Sequence, residues 1–417
     1  MYDPGQPVQR KVLKNGVTLL VQEQRTGDAV AGDISLRMGT LYEDELTAGL
    51  SQVLMRSLPV GTAAKSPVEL KLRLLAIHAD VESGAGPDFG HLEIVTKREG
   101  ASTAASLLGE MALSPSFPDT AVESARQYYL RLASDQVESP IPATYALFLK
   151  GMYGGTPFER PIQGTVSALA SARRSDVIEL YKRFFVGGNM TVVFVGNFDG
   201  KKLMAELERA FAAAPAGPPP AAAGPEPGAL AADTVLTEQR QYLVRSLVFG
   251  YPAPGIGEPD HAAFLVIDMY LKSTDRSPIT YWLPTRRLAA GVGVIYAPYP
   301  KRSSVAVYLG ARSGDWQAAR DSVAAVMQRL TTEPLDEGEW NVQIPRVQNS
   351  YFLRQNDPKW RAAQMSYFEA VGHGYDYPRR LELDLLRLTP EEVRAAAARW
   401  FTHFCEASIH PRVGDSN

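Results

Sequence analysis

A run of proline, alanine and glycine divides this chain of 417 residues into two parts. Residues 215–228 read PAGPPPAAAGPEPG, and a segment so rich in proline and glycine does not sustain a helix or a strand ladder. We expect it to be a semi-rigid connector. The predicted boundaries are therefore residues 1–211 for a first domain, 212–233 for the linker and 234–417 for a second domain.

The two parts repeat the same order of sequence patterns. Each begins with strand-like segments: RKVLKNGVTLLVQEQ, with a hairpin signal at Asn15-Gly16, and RQYLVRSLVFGYP. Each continues with a helix, a proline-marked break and a longer helix, in residues 101–135 and 321–357. Each closes with a helix that precedes a strand, and Ser175 and Thr389 are the predicted N-caps of these helices. The sequence therefore predicts a tandem duplication of an α+β unit.

Composition and charge exclude several classes of partner. With 45% hydrophobic residues, 21% charged residues and a net charge of -3, the sequence is typical of a globular protein and gives no electrostatic reason to expect nucleic acid or an anionic membrane. Its apolar runs are far shorter than the roughly 18–20 residues that span a bilayer. The first residues, MYDPGQPVQRK, lack an apolar signal core, so we expect a cytoplasmic protein or a periplasmic one whose leader has been removed. Cys405 is the only cysteine, which excludes an intramolecular disulfide and a thiolate metal cluster.

Four segments of the chain resemble one known family. They read LKNGVTLLV, GLSQVLMRSLPVGT, YGGTPFERPIQGT and SDVIELYKRFFVGGNMTVVFVGNFD. In order and spacing they resemble the M16 metallopeptidase family, which includes pitrilysin, insulinase and the mitochondrial processing peptidase, over nearly the whole chain. The resemblance implies an α+β fold with a tandem repeat of two homologous M16-type domains, each a mostly antiparallel sheet packed with helices.

Active members of that family carry His-x-x-Glu-His in the helix that corresponds to GLSQVLMRSLPVGT. Positions i and i+4 share one helix face, so two imidazoles bind one Zn²⁺ while the glutamate activates a water. Alignment of the frame places Gln52 and Arg56 at the two histidine positions and Met55 at the glutamate. Glutamine is a weak neutral ligand, arginine repels a cation and methionine accepts no proton. The resemblance thus implies a chain whose zinc motif is lost.

No other segment of the sequence supplies the missing ligands. The third ligand of the family is a glutamate in the long helix further on, where this chain reads LRLA over residues 130–133. The six histidines include no pair at i and i+4 spacing; they are His78, His91, His261, His373, His403 and His410. A solitary histidine is more often a surface or core-edge residue than a ligand. We therefore expect no metal in this chain.

In the family, the second domain of a metal-free chain supplies an arginine and a tyrosine to the zinc site of a partner, typically within Arg-x-x-x-Gly-Leu-Ala-Tyr. Here GVIY at residues 293–296 matches the end of that pattern, and PTRRLAA lies just upstream. The resemblance points to Tyr296, and to Arg287 or Arg286 if a small insertion is allowed. Both side chains donate hydrogen bonds, which suits an oxygen that gains negative charge during attack on an amide. The alternative is that Tyr296 is a half-exposed strand aromatic and Arg287 a solvated helix end.

The segment ADVESGAGPDFGHLEIV, residues 79–95, aligns with the edge strand that holds substrate by strand addition in active relatives. Where relatives usually have Asn-Ala, this chain has Glu82-Ser83. Glu82 and Ser83 are therefore candidate peptide contacts in a cleft that no longer cleaves. A plain sheet edge is the alternative interpretation.

Chains of this family commonly close into a clamshell, and heterodimers pair a zinc-bearing chain with a metal-free one. The resemblance implies that this chain is the non-catalytic subunit of such a heterodimeric peptidase, with Zn²⁺ in a zinc-bearing partner subunit and a peptide as the substrate. Two alternatives stay open. One is a structural subunit, like the core proteins of respiratory complexes that resemble this family, and the other is a stand-alone module that binds peptides without cleaving them.

Overall fold

The computed structural model describes residues 5–273, 277–311 and 316–412. Its strands are β1 (Gln9–Val12), β2 (Thr18–Glu23), β3 (Ala29–Leu36), β4 (Asp80–Ala85), β5 (Gly90–Lys97), β6 (Met190–Gly196), β7 (Thr234–Arg240), β8 (Arg245–Pro254), β9 (Ala290–Ala297), β10 (Arg302–Ala311) and β11 (Cys405–Pro411). Its helices are α1 (Leu50–Ser57), α2 (Pro67–Ala76), α3 (Ala101–Leu113), α4 (Asp119–Glu138), α5 (Pro140–Tyr153), α6 (Val166–Ser171), α7 (Arg174–Phe184), α8 (Gly200–Phe211), α9 (His261–Lys272), α10 (Trp282–Thr285), α11 (Trp316–Thr332), α12 (Glu337–Phe352), α13 (Pro358–Val371), α14 (Tyr377–Arg387) and α15 (Pro390–Trp400).

The chain forms two compact units, and each unit is assembled from three segments. Within the described residues, the first unit takes in 5–133, 161–224 and 351–380, and the second takes in the rest. Helix α8 ends at Phe211 and β7 begins at Thr234, on either side of the predicted linker. The linker is not the boundary between the units for every element, however. Helix α5 precedes the linker but belongs to the second unit, and α13 follows it but belongs to the first.

The two units contain sheets of the same topology. The strand order is β1-β2-β6-β3-β5-β4 in the first sheet and β7-β11-β8-β10-β9 in the second. Strand for strand, β2 to β6 correspond to β7 to β11, and the first sheet has β1 in addition. In each sheet one pair, β2 with β6 or β7 with β11, is parallel and the other pairs are antiparallel. This shared order confirms the predicted duplication of an α+β unit.

Helices cover both faces of the first sheet. Helices α1, α3 and α8 pack on one face, and α13 packs on the other, against β3 and β6. The side chains of β2 alternate between the two faces and belong to both core clusters. Leu19 and Val21 lie in the cluster on the first face, and Leu20 lies in the cluster with Met365 of α13. The strands therefore read as continuous apolar runs, as expected for strands buried on both sides.

The second sheet is covered in the same way. Helix α5 packs on one face, where Phe148 and Val248 share a core cluster with Cys405. Helices α9, α11 and α15 also contact strands of this sheet. Burial raises the pKa of the Cys405 thiol to about 12, so this cysteine is an inert core residue. No helix in the described ranges combines the length and the apolar character that crossing a bilayer requires.

Most predicted elements are present, and the exceptions have local causes. The hairpin at Asn15-Gly16 and both helix-break-helix segments are confirmed, and Thr389 caps α15 with Glu392. The prediction that Ser175 is an N-cap was wrong. Helix α7 begins at Arg174 because the carboxylate of Asp176 accepts a hydrogen bond from the Arg173 N–H, which moves the cap to Arg173.

The first turn of α1 is held by a buried carboxylate. Glu43, which is 1% exposed, accepts hydrogen bonds from the N–H groups of Gly49 at 2.9 Å and Ser51 at 2.6 Å. A carboxylate in this position satisfies N–H groups that have no partner within the helix and interacts favourably with the helix dipole. Gly49 itself has a φ of 92°, and a Cβ there would lie 2.8 Å from the Gln163 carbonyl oxygen. The start of α1 therefore requires both Glu43 and a glycine.

The turn between β4 and β5 is tied to α13 by a buried carboxyl group. Asp88 is 4% exposed, and the hydroxyl of Tyr367 donates to its Oδ2 at 2.9 Å. Burial raises the pKa of Asp88 to about 6, although the hydrogen bonds from Tyr367 and from its own backbone oppose the shift. At neutral pH the protein thus carries a charged carboxylate in an environment that disfavours it.

Replacement of Glu43 by alanine should destabilise the protein by about 2–3 kcal/mol, because two buried N–H groups lose a charged acceptor. Urea unfolding would measure the change. Glu45→Ala, which removes an exposed carboxylate two residues along, is the matched control and should change stability by less than about 0.5 kcal/mol. Equal effects of the two substitutions would contradict the capping role of Glu43.

Asp88→Asn should stabilise the protein at neutral pH by about 2 kcal/mol, because it removes the cost of a buried charge and keeps an oxygen for Tyr367. Between pH 3.8 and about 6 the folded protein holds a proton at Asp88 that the unfolded chain releases, so stability falls as the pH rises through this range. The gain should therefore vanish near pH 4. Thermal melts of wild type, Asp88→Asn and the exposed-site control Asp80→Asn across this range would test it, and a gain independent of pH would contradict it.

Candidate functional site

The three residues that the sequence alignment places at the zinc-motif positions lie on α1, as predicted. Gln52 and Met55 are buried, whereas Arg56, one residue further on, is exposed. All three occupy a helix of eight residues that ends at Ser57. The residues that would have to hold a metal are therefore an amide, a thioether and a guanidinium.

Two hydrogen bonds tie this helix to the edge strand β4. The Gln52 side-chain amide donates to the carbonyl oxygen of Ala85 at 2.6 Å, and the Ser83 hydroxyl donates to the carbonyl oxygen of Met55 at 2.7 Å. Ser83, a predicted peptide contact, thus faces α1. The Gln52 side chain thus links α1 to β4 from the position that aligns with a zinc ligand of active relatives.

Arg56 reaches the long helix α4 instead of a metal. Its Cζ atom lies 4.0 Å from the centroid of the Tyr128 ring, within the range of a cation–π interaction. Burial raises the pKa of Tyr129, and the charge of Arg56 and a hydrogen bond with Arg56 oppose that shift. Helix α4 also contains residues 130–133, where the resemblance places the third ligand. The arginine therefore connects the two helices that Zn²⁺ would connect in an active relative.

The residues present do not fit a metal ion. Across residues 5–273, 277–311 and 316–412, no three or more His, Cys, Asp or Glu side chains come together in a way that could hold one. Zinc requires about three protein ligands of N, O or S type in a tight arrangement. We therefore derive no chemical step through a metal bound to this chain.

A cavity of about 650 Å³ lies at the edge of the first sheet, bordered by α1, β4, β5 and α4. Arg56, Ser83 and His91 are among its lining residues. Among the residues that the structure describes, β4 is the last strand of its sheet and pairs with β5 alone. The cavity is thus open to an unpaired strand edge.

The register shows which backbone groups of β4 face this cavity. The Gly86 N–H donates to the carbonyl oxygen of Phe89 at 2.7 Å, and hydrogen-bonded and non-hydrogen-bonded pairs alternate along an antiparallel hairpin. The N–H and C=O groups of Val81 and Ser83 therefore point away from β5. Both residues line the cavity, so these groups can receive an additional strand.

On the opposite face of the sheet, a charged cluster lies beside the same edge. The ammonium group of Lys359 on α13 contacts Glu82 at 2.8 Å and Glu93 at 3.0 Å. The hydrogen bond from Lys359, together with its charge, lowers the pKa of Glu82, and its two carboxylate partners raise the pKa of Lys359 to about 12. Glu82, the other predicted peptide contact, is thus already paired within the chain.

His91 extends this cluster toward the edge of the sheet. Its Nδ1 lies 3.8 Å from the buried carboxylate of Asp33, whose other oxygen accepts a hydrogen bond from Ser35 at 3.1 Å. Burial disfavours the charged imidazole, but Asp33, with smaller effects of Glu93 and Glu82, outweighs it and raises the pKa of His91. The carboxylate of Asp33 thus favours the charged form of His91.

In the second unit, Tyr296 lies on β9, the edge strand that corresponds to β4. It pairs with Val305 of β10, and its hydroxyl lies 3.0 Å from Nδ1 of His261. Phe264 packs beside its ring, with the ring centroids 6.0 Å apart. The half-buried tyrosine is thus held by the start of α9.

The two candidate arginines lie at the end of α10. The Arg286 guanidinium stacks on Trp282 at 5.3 Å from the ring centroid. Arg287 is exposed and has a φ of 60°, in the left-handed region. The described hydrogen bonds of the unit join Tyr296 to His261 rather than to either arginine. Their cooperation with Tyr296 stays a prediction.

Sequence reasoning did not identify Tyr128 or Lys359 as parts of this site. Lys359 is 277 residues from Glu82 along the chain, and no local pattern connects them. Tyr128 follows three positions after Ala125 in α4, one helical turn along the face that borders the cavity, but an exposed aromatic residue gives no signal by itself.

Known proteins that resemble this chain carry M16 or zinc-protease descriptions. Residues 171–344 match the family described as "Peptidase M16 inactive domain". An "Uncharacterized zinc protease" of Rickettsia felis is 22% identical over 201 residues, which are 48% of this chain and 48% of the relative. The chain thus aligns with about half the length of the curated relatives it matches.

Two solved structures share the fold. A peptidase M16 inactive domain from Pseudomonas fluorescens has a TM-score of 0.86 at 18% identity, with 98% of this chain and 99% of that one covered. A chain of complex III2 from Candida albicans has a TM-score of 0.77 at 12% identity, with 97% and 96% covered. The chain thus shares its fold with M16-type peptidases, and residues 171–344 match the description "Peptidase M16 inactive domain".

Proposed function

We propose that this chain is the non-catalytic subunit of a heterodimeric, zinc-dependent M16 peptidase. One observation carries the proposal: the helix frame of the zinc motif is retained on α1, while Gln52, Met55 and Arg56 are engaged with β4 and α4. A helix kept in place by such contacts still shapes the chamber wall, although it performs no chemistry. The metal and the general base belong to a zinc-bearing partner subunit.

The chain contributes two features to the shared chamber. The first is the β4 edge, where the backbone groups of Val81 and Ser83 receive an extended peptide, beside the Glu82 and Lys359 pair. The second is Tyr296, with Arg287 or Arg286, which donates to the substrate carbonyl oxygen at the zinc site of the partner.

The contact with His261 is compatible with that role of Tyr296. If Nδ1 of His261 carries its proton, the imidazole donates to the tyrosine oxygen, so this contact does not use the phenolic proton. A donor aimed at the oxygen stabilises the charge that develops there during attack. His261 then also fixes the direction in which the hydroxyl points.

A structural role is the second candidate, and one observation favours it: the fold is shared with a chain of complex III2. In that case the duplicated fold serves as a building block of a larger assembly. The third candidate is a stand-alone peptide-binding module, which the cavity at β4 would serve without a partner.

The decisive experiment mixes this chain with an M16 chain that carries a complete His-x-x-Glu-His motif. Cleavage of a quenched fluorescent peptide and bound zinc are measured for each chain alone and for the mixture. We expect cleavage only in the mixture, and zinc only in the partner. Hydrolysis and zinc binding by this chain alone would overturn the loss of catalytic function, and a mixture that neither associates nor cleaves would favour the structural or stand-alone role.

In the active mixture, Tyr296→Phe should lower kcat by about tenfold or more, because the substrate oxygen loses a donor while the ring packing is kept. Arg286→Gln and Arg287→Gln, tested separately, identify the arginine that cooperates. Tyr281→Phe is the matched control, since Tyr281 is 39% exposed and lies off β9. An unchanged kcat for Tyr296→Phe would restrict this chain to shaping the chamber.

A further inference from the structure

We propose that the cavity beside β4 selects peptides that carry a carboxylate, and that Arg56 receives this carboxylate. The inference rests on the proposed binding of a peptide at the β4 edge and adds the chemical class of the ligand. It gives Arg56, which aligns with a zinc ligand of active relatives, a role in binding the peptide.

The first step concerns the donors of Arg56. The contact with Tyr128 is made with the face of an aromatic ring, whereas the guanidinium carries five N–H donors for oxygen acceptors. Tyr129 takes part in one hydrogen bond with it. The described contacts of Arg56 are thus with two tyrosines rather than with a carboxylate, and donors remain for a ligand in the cavity that Arg56 lines.

The second step concerns the surroundings of that charge. On the side of α1 and α4 the cavity is lined by neutral residues, including Val60, Ala121 and Ala125. The acidic lining residue, Glu82, lies on the other face of the sheet, because Ser83 faces α1 and successive strand residues alternate. Glu82 is in addition paired with Lys359 at 2.8 Å. Arg56 is therefore the charged lining residue on the α1 and α4 side of the cavity.

The third step concerns how a peptide presents its groups. A strand added to β4 through Val81 and Ser83 directs alternate side chains toward α1 and α4 and toward the charged cluster of α13. A carboxylate on the first side meets a stacked guanidinium beside apolar walls, where charge-assisted hydrogen bonds are strong. The carboxylate is either the C-terminus of the peptide or an aspartate or glutamate side chain, since both present the same pair of oxygens.

The test uses unlabelled, N-acetylated Ser/Thr/Val peptides of about eight residues, the length of an ordinary strand, with isothermal titration calorimetry as the readout. One peptide has an amidated C-terminus, one has a free C-terminal carboxylate, and one is amidated and carries a central glutamate. We expect at least one carboxylate peptide to bind about tenfold more tightly than the neutral amide, and to weaken as salt is added. Which of the two binds identifies the source of the carboxylate.

Arg56→Gln should abolish this preference, and Arg56→Lys should retain only part of it, because an ammonium group cannot make a bidentate contact. Arg183→Gln is the matched control, since Arg183 also stacks on a neighbouring ring, Phe184, but lies outside the cavity. Equal binding of all three peptides, or a preference that survives in Arg56→Gln, overturns the role of Arg56 and leaves peptide binding at β4 intact. Failure of every peptide to bind overturns both.

Discussion

The contacts of α1 with β4 and α4 are the constraint on which the site depends. In an active relative, a metal ion would pull two helices together through strong ligand bonds. Here an amide-to-carbonyl bond from Gln52, a hydroxyl-to-carbonyl bond from Ser83 and the stack of Arg56 on Tyr128 hold the same elements. Each is individually modest, but together they connect the helix to both neighbours. These contacts thus fix the position of α1 beside the cavity.

The duplicated architecture explains why such a helix is retained. Each sheet is buried on both faces, and each receives one covering helix from the other half of the sequence, α13 for the first sheet and α5 for the second. A sheet that is apolar on both sides cannot lose either layer without exposing its core. Helix α1 belongs to the layer opposite α13, so its apolar residues are needed whatever its polar face carries.

The charge distribution of the cleft follows from the same layers. Lys359 enters from α13 and forms ion pairs with Glu82 and Glu93 on one face, while Arg56 lies on the other face among neutral residues. The exposed edge of β4 separates the two. A peptide that adds to this edge therefore meets an ion-paired cluster on one side and Arg56 on the other.

The sequence by itself determined the repeat, the order of the elements and the absence of a His-x-x-Glu-His motif, because local patterns encode helices, hairpins and motif spacing. It also placed Gln52, Met55 and Arg56 on one helix and Glu82-Ser83 on an edge strand. Only the tertiary structure decided which residues these side chains contact, including the contact of Tyr296 with His261. It also decided that α5 packs in the second unit and α13 in the first. Such contacts join residues far apart in the chain, and their partners are chosen by packing, which no local pattern records.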